Sequence, residues 1–380
     1  MKVKLKSILF VVRDTKYFLS HRIPLVEKLI NEGYSVHLCS MLHDDADIDR
    51  LTPLGVRFYK VPNLKGILGI LFNIICCRIA IIKSKASLVQ GISTKYNLIL
   101  AAASFGSSAR VVYLFAGLGT LFRSGLLRHR LGAYVYGLLF NMLTLRTRSL
   151  FIFMNRSDLI DFVSYSRLPK QRCHIISGSG VDLVKFSANS HMLKTDSDKL
   201  VIGFAGRLLR DKGILEFLEA AKFVSERYSN LVFEIAGDVD SKNPTSFSKD
   251  ELLSSINQQN IKWLGEVKDI ENVMSTWDIF CFPSYHEGLS LSLLQAAALG
   301  RQLVVSDIPG NRLVVKDPSY GYLFKAKDTQ SIVEALIDAV KNQEYSRGKA
   351  TRVMNYVREE FSVHAINQKY LALYQESEEV

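Results

Sequence analysis

The chain has 380 residues, 48% of them hydrophobic and 22% charged, a composition that excludes a disordered or fibrous protein and a length that favours two domains over a single core. Its five cysteines, Cys39, Cys76, Cys77, Cys173 and Cys281, fit neither a disulfide framework nor the paired spacing of a zinc site, which leaves thiols in a reducing compartment. The net charge of +11 is divided unevenly: residues 1–195 carry 27 Lys and Arg against 10 Asp and Glu, and residues 50–157 carry fifteen Lys and Arg with no acid at all. So long a basic interval is the footprint expected of an anionic partner, with a solvated basic face as the plainer alternative. No nucleic-acid-binding motif accompanies it, so nucleic acid is not expected.

Along the chain, strand-length apolar runs alternate with helical patterns, which predicts βαβ units and parallel sheets. Residues 1–12 resemble a signal peptide only briefly, because Arg13 and Asp14 end the apolar patch; a first strand at 8–12 fits better. Further strands are expected at 36–40, 56–61, 88–92, 111–115 and 151–154, with a helix over 19–31 closed by Gly33. The apolar stretches 67–77 and 131–145 fall short of the roughly 20 residues that cross a bilayer, so no transmembrane helix is expected. A polar stretch at 187–198 reads as a linker. The alternation then restarts with strands at 200–205, 232–236, 261–263, 279–283 and 303–306, and helices at 213–228, 289–299 and 329–341. The expectation is an α/β chain of two doubly wound domains, whose ligands gather beyond the carboxyl ends of the strands and so in a cleft between them.

Two segments carry chemistry, and each sits where a strand gives way to a helix. The first is 204–214, FAGRLLRDKGI. Gly206 permits a close backbone approach, while Arg207 and Lys212 can converge on a diphosphate leaving group as its negative charge develops. A turn with solvated charges explains the same residues equally well. The second is 283–295, PSYHEGLSLSLLQ. Gly288, Leu289 and Ser290 would offer backbone amides at a helix start, and Glu287 could accept hydrogen bonds from sugar hydroxyls or merely complement the helix dipole.

Together these residues resemble the retaining glycosyltransferases of family four, marked by a Gly-Arg and a Lys-Gly pair, here Gly206-Arg207 and Lys212-Gly213, and by a glutamate, here Glu287. The segments FLSHR at 18–22 and AGLGT at 116–120 are similar to the subgroup that builds capsule and O-antigen polysaccharides. The resemblance implies a GT-B fold, two Rossmann-like domains facing across a cleft: 1–190 for acceptor and membrane, 196–360 for the nucleotide-sugar donor, and a helix at 361–380 returning to the first domain. It implies that Arg207 and Lys212 bind the donor diphosphate, that Glu287 and the Gly288, Leu289 and Ser290 backbone bind sugar or phosphate, and that Gly265 and Val267 lie beside the base. The family's second glutamate would fall at Gln295, where it grips ribose; an amide keeps an acceptor oxygen and adds N–H donors without charge. The Gly-Gly pair many members carry after the first strand is also missing, since the loop reads Arg13-Asp14-Thr15.

The family transfers a sugar with retention, by front-face displacement without a protein nucleophile, so no base is expected. No cofactor is expected, and no metal, because no Asp-x-Asp pair serves a donor diphosphate; Asp238-Val-Asp240, the one such spacing after a second-half strand, reads as a loop. The donor is expected to be a nucleotide sugar, by analogy a UDP-sugar, and the acceptor a lipid-linked saccharide. His21 is the candidate polar group of the first domain, with a surface or core histidine as the alternative. The Gly117–Gly119 loop lacks the third glycine and the following acid of a dinucleotide fingerprint, so it reads as a cleft loop or a plain turn. Arg123, Arg128, Arg130, Arg146 and Arg148 flank the apolar run 131–145, an arrangement suited either to an anionic membrane surface on the cytoplasmic side or to a buried helix with basic ends; 67–82 is a weaker candidate. Two rivals stand beside this reading: a nucleotide-sugar epimerase on a similar fold, and a weakly catalytic partner in a polysaccharide assembly complex, suggested by Gln295.

Overall fold

Strand and helix alternate through both halves of the computed structural model, which describes residues 6–64, 66–123, 127–145, 149–187, 199–240, 243, 245–256 and 261–379. The chain divides into two units, Met1–Ser179 with Ile366–Val380, and Gly180–Ala365. Most of the expected linker, together with Arg146, Arg148 and the Arg123 side chain, lies outside the described residues.

The first unit holds β1 (Ser7–Asp14), β2 (Ser35–Met41), β3 (Arg57–Lys60), β4 (Leu88–Ile92), β5 (Arg110–Phe115), β6 (Ser149–Phe153) and β7 (Cys173–Ile175). They form one sheet in the order β3-β2-β1-β4-β5-β6-β7, parallel throughout. The strand order reverses between β1 and β4, where Ile8 pairs with both Val36 and Leu88. Such a reversal opens a crevice at the carboxyl ends of the two strands. Helices cover both faces, and β4 is buried along its whole length, which is why it reads as an unbroken apolar run.

Three first-unit elements differ from the sequence reading. The helix expected over 19–31 is two, Thr15–His21 and Ile23–Asn31, because Pro24 has no N–H to continue the ladder and Arg22 leaves helical geometry at φ −122°. β7, three residues at the end of the sheet, is a strand where the sequence reading expects none. The apolar run at 67–77 extends into a 19-residue helix, Gly66–Ser84, which by length and composition alone is long and apolar enough to cross a membrane. The Val363–Glu379 helix buries Ile366, Tyr370, Leu373 and Tyr374 in the first unit's core. There Tyr370 receives the buried Arg22 guanidinium over its ring, 5.3 Å from the centroid.

The second unit holds β8 (Leu200–Ala205), β9 (Leu231–Ala236), β10 (Ile261–Trp263), β11 (Ile279–Phe282), β12 (Gln302–Ser306) and β13 (Tyr322–Phe324), in the order β10-β9-β8-β11-β12-β13, again all parallel. Its order reverses between β8 and β11. Both segments singled out in the sequence leave the sheet at this reversal.

Candidate active site

The loop after β8 runs from Gly206 through a short 3-10 turn, Arg210–Lys212, into the Ile214–Arg227 helix. The loop after β11 runs from Pro283 to Ser290, the cap of the Leu291–Ala298 helix. The fold brings the two together: Lys212 Nζ donates to Glu287 Oε1, and Ser284 Oγ donates to the same oxygen at 2.8 Å. Both members of the pair are well covered, with side-chain exposures of 17% and 12%. Coverage makes removal of one partner costly, because the other charge is then left covered without its partner.

The backbones of the two loops are joined as well. Tyr285 N donates to Asp211 O at 2.9 Å, with Ser284 Oγ 3.3 Å from the same carbonyl, while the Tyr285 hydroxyl bonds Glu216 on the following helix. Burial, and then Glu216, push the Tyr285 phenol well above its ordinary value, so it stays a neutral donor. Gly213 closes the turn at φ +72°, where a Cβ would stand 2.2 Å from the Pro283 carbonyl oxygen. Only glycine lets the loops approach this closely.

Arg207 points elsewhere. Its guanidinium is 3.6 Å from Asp240 Oδ2, and its side chain is 63% exposed. The structure therefore gives the two expected cations different carboxylates. Gly206 itself is under no steric demand; the tight contact is one strand over, where a Cβ on Gly237 would lie 1.9 Å from the Gly206 carbonyl oxygen. Gly237 N in turn donates to Gly265 O at 2.7 Å, which ties the Gly265–Val267 loop, with Val267 half-buried, to the ends of β9 and β8.

The Leu291–Ala298 helix begins two residues later than expected. Ser290 is its cap, accepting from Leu293 N, so Gly288 and Leu289 precede the helix and offer loop amides. Gln295 is half-buried on the second turn of that helix, and among the described residues its side chain makes no hydrogen bond.

Residues 186–359 match the sequence model of the family described as "Glycosyl transferases group 1". The second unit carries a group 1 glycosyl transferase domain. Among curated proteins, the chain is 32% identical over 168 residues to an Escherichia coli UDP-Gal:alpha-D-GlcNAc-diphosphoundecaprenol alpha-1,3-galactosyltransferase, covering 42% of this chain and 43% of that protein. It is 28% identical over 279 residues to a Campylobacter jejuni N,N'-diacetylbacillosaminyl-diphospho-undecaprenol alpha-1,3-N-acetylgalactosaminyltransferase, covering 70% and 71%. With the Staphylococcus aureus capsular polysaccharide glycosyltransferase CapM it shares 22% over 203 residues, covering 52% and 53%. The match thus spans about half the length of the first and third of these relatives.

Among solved structures, sucrose-phosphate synthase from Thermosynechococcus elongatus superposes with a TM-score of 0.80 over 98% of both chains at 14% identity. Anabaena HepE in complex with UDP gives 0.78 over 97% of this chain and all of that one, at 17% identity. At these identities the likeness is one of fold, and the fold is GT-B.

Around the group 1 domain's site, several positioning residues carried no sequence signal. Gly310 lies against Glu287, where a Cβ would be 2.5 Å from the Glu287 carbonyl oxygen. Buried Asn311 donates from Nδ2 to Ser306 O and Oγ at 3.0 and 3.1 Å, and Ser306 Oγ donates to Ser284 O, so the end of β12 braces the Glu287 loop. The contacts of Ser306 with Ser284 and of Gly310 with Glu287 join positions more than twenty residues apart, which no local spacing reveals.

In the first unit, His21 stacks on Tyr17 with ring centroids 4.5 Å apart, and its Nδ1 lies 2.7 Å from Ser20 Oγ. Burial, and secondarily the Arg22 charge, lower its pKa to about 4, so the imidazole is neutral at physiological pH. Asp14 accepts from Tyr17 N as the cap of its helix. Gly117 and Gly119 both take positive φ, at 135° and 73°, in the loop leaving β5, with Thr94 Oγ1 donating to Gly117 O at 3.3 Å.

Proposed function

We propose that this chain is a retaining glycosyltransferase that moves a sugar from a nucleotide diphosphate donor, a UDP-sugar, to a polyprenyl-diphosphate-linked saccharide during synthesis of a bacterial surface polysaccharide. One observation carries the reading: at the strand-order reversal of the group 1 domain, a covered Lys212 and Glu287 meet on adjoining loops whose spacing depends on Gly213. Two of the relatives are named for galactosyl or N-acetylgalactosaminyl transfer to diphosphoundecaprenol-linked sugars, and HepE is solved with UDP, which supports the donor and acceptor classes.

In this reading Lys212 and Arg207 hold the donor diphosphate and stabilise the charge that grows on it as the bond to the sugar breaks. The hydrogen bonds from Lys212 and Ser284 fall on Glu287 Oε1, so Oε2 is the oxygen assigned in this reading to accept from a sugar hydroxyl. The amides of Gly288, Leu289 and Ser290 meet sugar or phosphate, Gly265 and Val267 flank the base, and Gln295 offers its amide to the ribose. His21, neutral, is the first unit's contribution to the reaction. The acceptor hydroxyl attacks from the face the diphosphate leaves, and a leaving phosphate oxygen takes the hydroxyl proton, so no protein nucleophile is called for; Lys212 and Arg207 supply the positive charge a metal would otherwise bring to the diphosphate. A water-soluble donor and a membrane-anchored acceptor put the enzyme on the cytoplasmic side of the membrane, attached peripherally.

The test is a thermal-shift screen against UDP, GDP, ADP and UDP-sugars, with Arg207→Ala as control. A ligand that binds only the native state stabilises it by mass action. Selective stabilisation by uridine nucleotides, lost in the variant, is expected; no shift with any nucleotide would overturn the donor assignment.

A further inference from the structure

The Gly66–Ser84 helix reverses the usual surface arrangement. Its inner stripe is small or polar, Gly69, Asn73, Cys77, Ala80 and Ser84 with Ile81, while the side facing away from the core carries Ile67, Leu68, Leu71, Phe72, Ile75, Ile79 and Ile82. Ile67 and Leu68 are 78% and 80% exposed. An ordinary surface helix would be polar there. The Leu127–Thr144 helix does the same: Ala133, Tyr136 and Phe140 face the core, and Leu131, Val135, Leu138, Leu139 and Met142 face out.

Both helices pack into the same core cluster, so they cover the same face of the seven-stranded sheet. The Thr94–Ala103 helix packs between them, and its outward residues Leu98 and Ala102 are apolar and half-buried. The one basic residue in the middle of the Gly66–Ser84 helix, Arg78, is turned down onto backbone, with Nη1 donating to Ala103 O at 3.1 Å and Phe105 O at 3.0 Å. Among the described residues, apolar surface therefore runs across the middle of the three helices without a charged interruption, far beyond the scattered apolar residues of a normal surface. Exposed cations stand at its borders: Lys83, Lys85, Lys95, Arg128 and Arg130.

We propose that this three-helix face is a single platform that seats the first unit on an anionic bilayer leaflet, with the Gly66–Ser84 helix lying in the headgroup boundary as its principal contact. The proposal rests on the reading of a membrane-anchored acceptor and names the surface that meets that membrane. Charge chooses the occupant: the platform is ringed by cations, and residues 51–157 offer no carboxylate to answer them, so a second copy would bring like charge against like, whereas anionic headgroups complement it. The same helix does not cross the membrane, because Cys77, Ala80 and Ile81 on its inner stripe belong to the unit's core. The sequence pointed first to 131–145; exposure moves the weight to the earlier helix.

Flotation with phosphatidylcholine vesicles, with and without phosphatidylglycerol, tests this on the full chain. Two double variants are compared with the native protein, Leu71→Ser with Ile75→Ser, and Leu138→Ser with Met142→Ser. The native chain should float with the anionic vesicles and release them as salt rises, and each pair should weaken binding by at least about tenfold, since every buried methylene counts. Stabilisation by UDP should be unchanged in both variants, which certifies their fold. Variants that float like the native chain, or a native chain that ignores anionic vesicles, would overturn the platform. A native dimer that the same substitutions dissociate would assign the face to a second copy instead. Loss of vesicle binding with UDP binding intact leaves the transferase reading standing, whereas absence of UDP binding in the native chain strikes that reading and not the platform.

Discussion

Gly213→Ala is the sharpest probe of how the two loops of the candidate site depend on each other. The new methyl carbon would start 2.2 Å from the Pro283 carbonyl oxygen, when contacts under 3.0 Å are essentially never seen, so the loops must part by close to an ångström. Holding alanine at φ +72° adds about 1–2 kcal/mol of left-handed strain, and the overlap adds about 1–3 kcal/mol. The melting temperature of the second unit should fall by roughly 5–15 °C. The functional cost should be larger in proportion, because Lys212 precedes Gly213 and Glu287 follows Pro283: a misplacement of that size costs about 10²-fold in kcat/KM. Calorimetric unfolding, titration with UDP and turnover are measured together, at a temperature where the variant is folded. Gly348→Ala is the control, since its Cβ meets nothing within 4 Å inside a helix, and it should stabilise by about 0.5–1 kcal/mol. A folded Gly213→Ala protein with native UDP affinity and turnover would refute the coupling of the two loops.

Arg207→Ala and Lys212→Ala should each lower kcat by about 10²-fold or more, with Lys212→Ala also losing stability because it strands a covered Glu287; near-native turnover in both would remove the diphosphate assignment. Gln295→Glu should change UDP affinity more than melting temperature, and an unchanged dissociation constant would take position 295 out of the ribose site. Because His21 protonates near pH 4 when folded but near 6.5 when unfolded, acidification through that window lets the unfolded chain bind a proton the folded chain refuses, so stability falls as pH drops from 6.5 towards 4. His21→Gln should flatten that part of the melting-temperature profile; identical profiles would mean that His21 titrates normally. Turnover should survive chelation of divalent cations by EDTA, and a strict requirement for an added cation would contradict the metal-free mechanism.

The alternation of apolar runs and helical patterns was enough to place eleven strands and the two doubly wound sheets, because strands buried on both faces are apolar along their whole length. It was also enough to find both loops of the candidate site, since each lies where an apolar strand run gives way to a helical pattern, although the Ser290 cap of the second helix emerged only in the structure. What it could not supply is anything made by distant partners. The pairing of Lys212 with Glu287, the turn of Arg207 towards Asp240, and the bracing of Glu287 by Gly310 and Asn311 depend on which strands become neighbours, and that order is written in no single stretch of chain. The strands β7 and β13, three residues each at a sheet edge, stand outside that pattern, whereas the equally short edge strand β10 lies within it. The Gly66–Ser84 helix shows the same divide: its apolar residues are plain in the sequence, but only packing decides that the small stripe faces the core and the large residues face out. Composition set how much apolar surface exists; the tertiary structure chose which of it is covered, because burial is settled by the neighbour a face meets and not by the residues on the face.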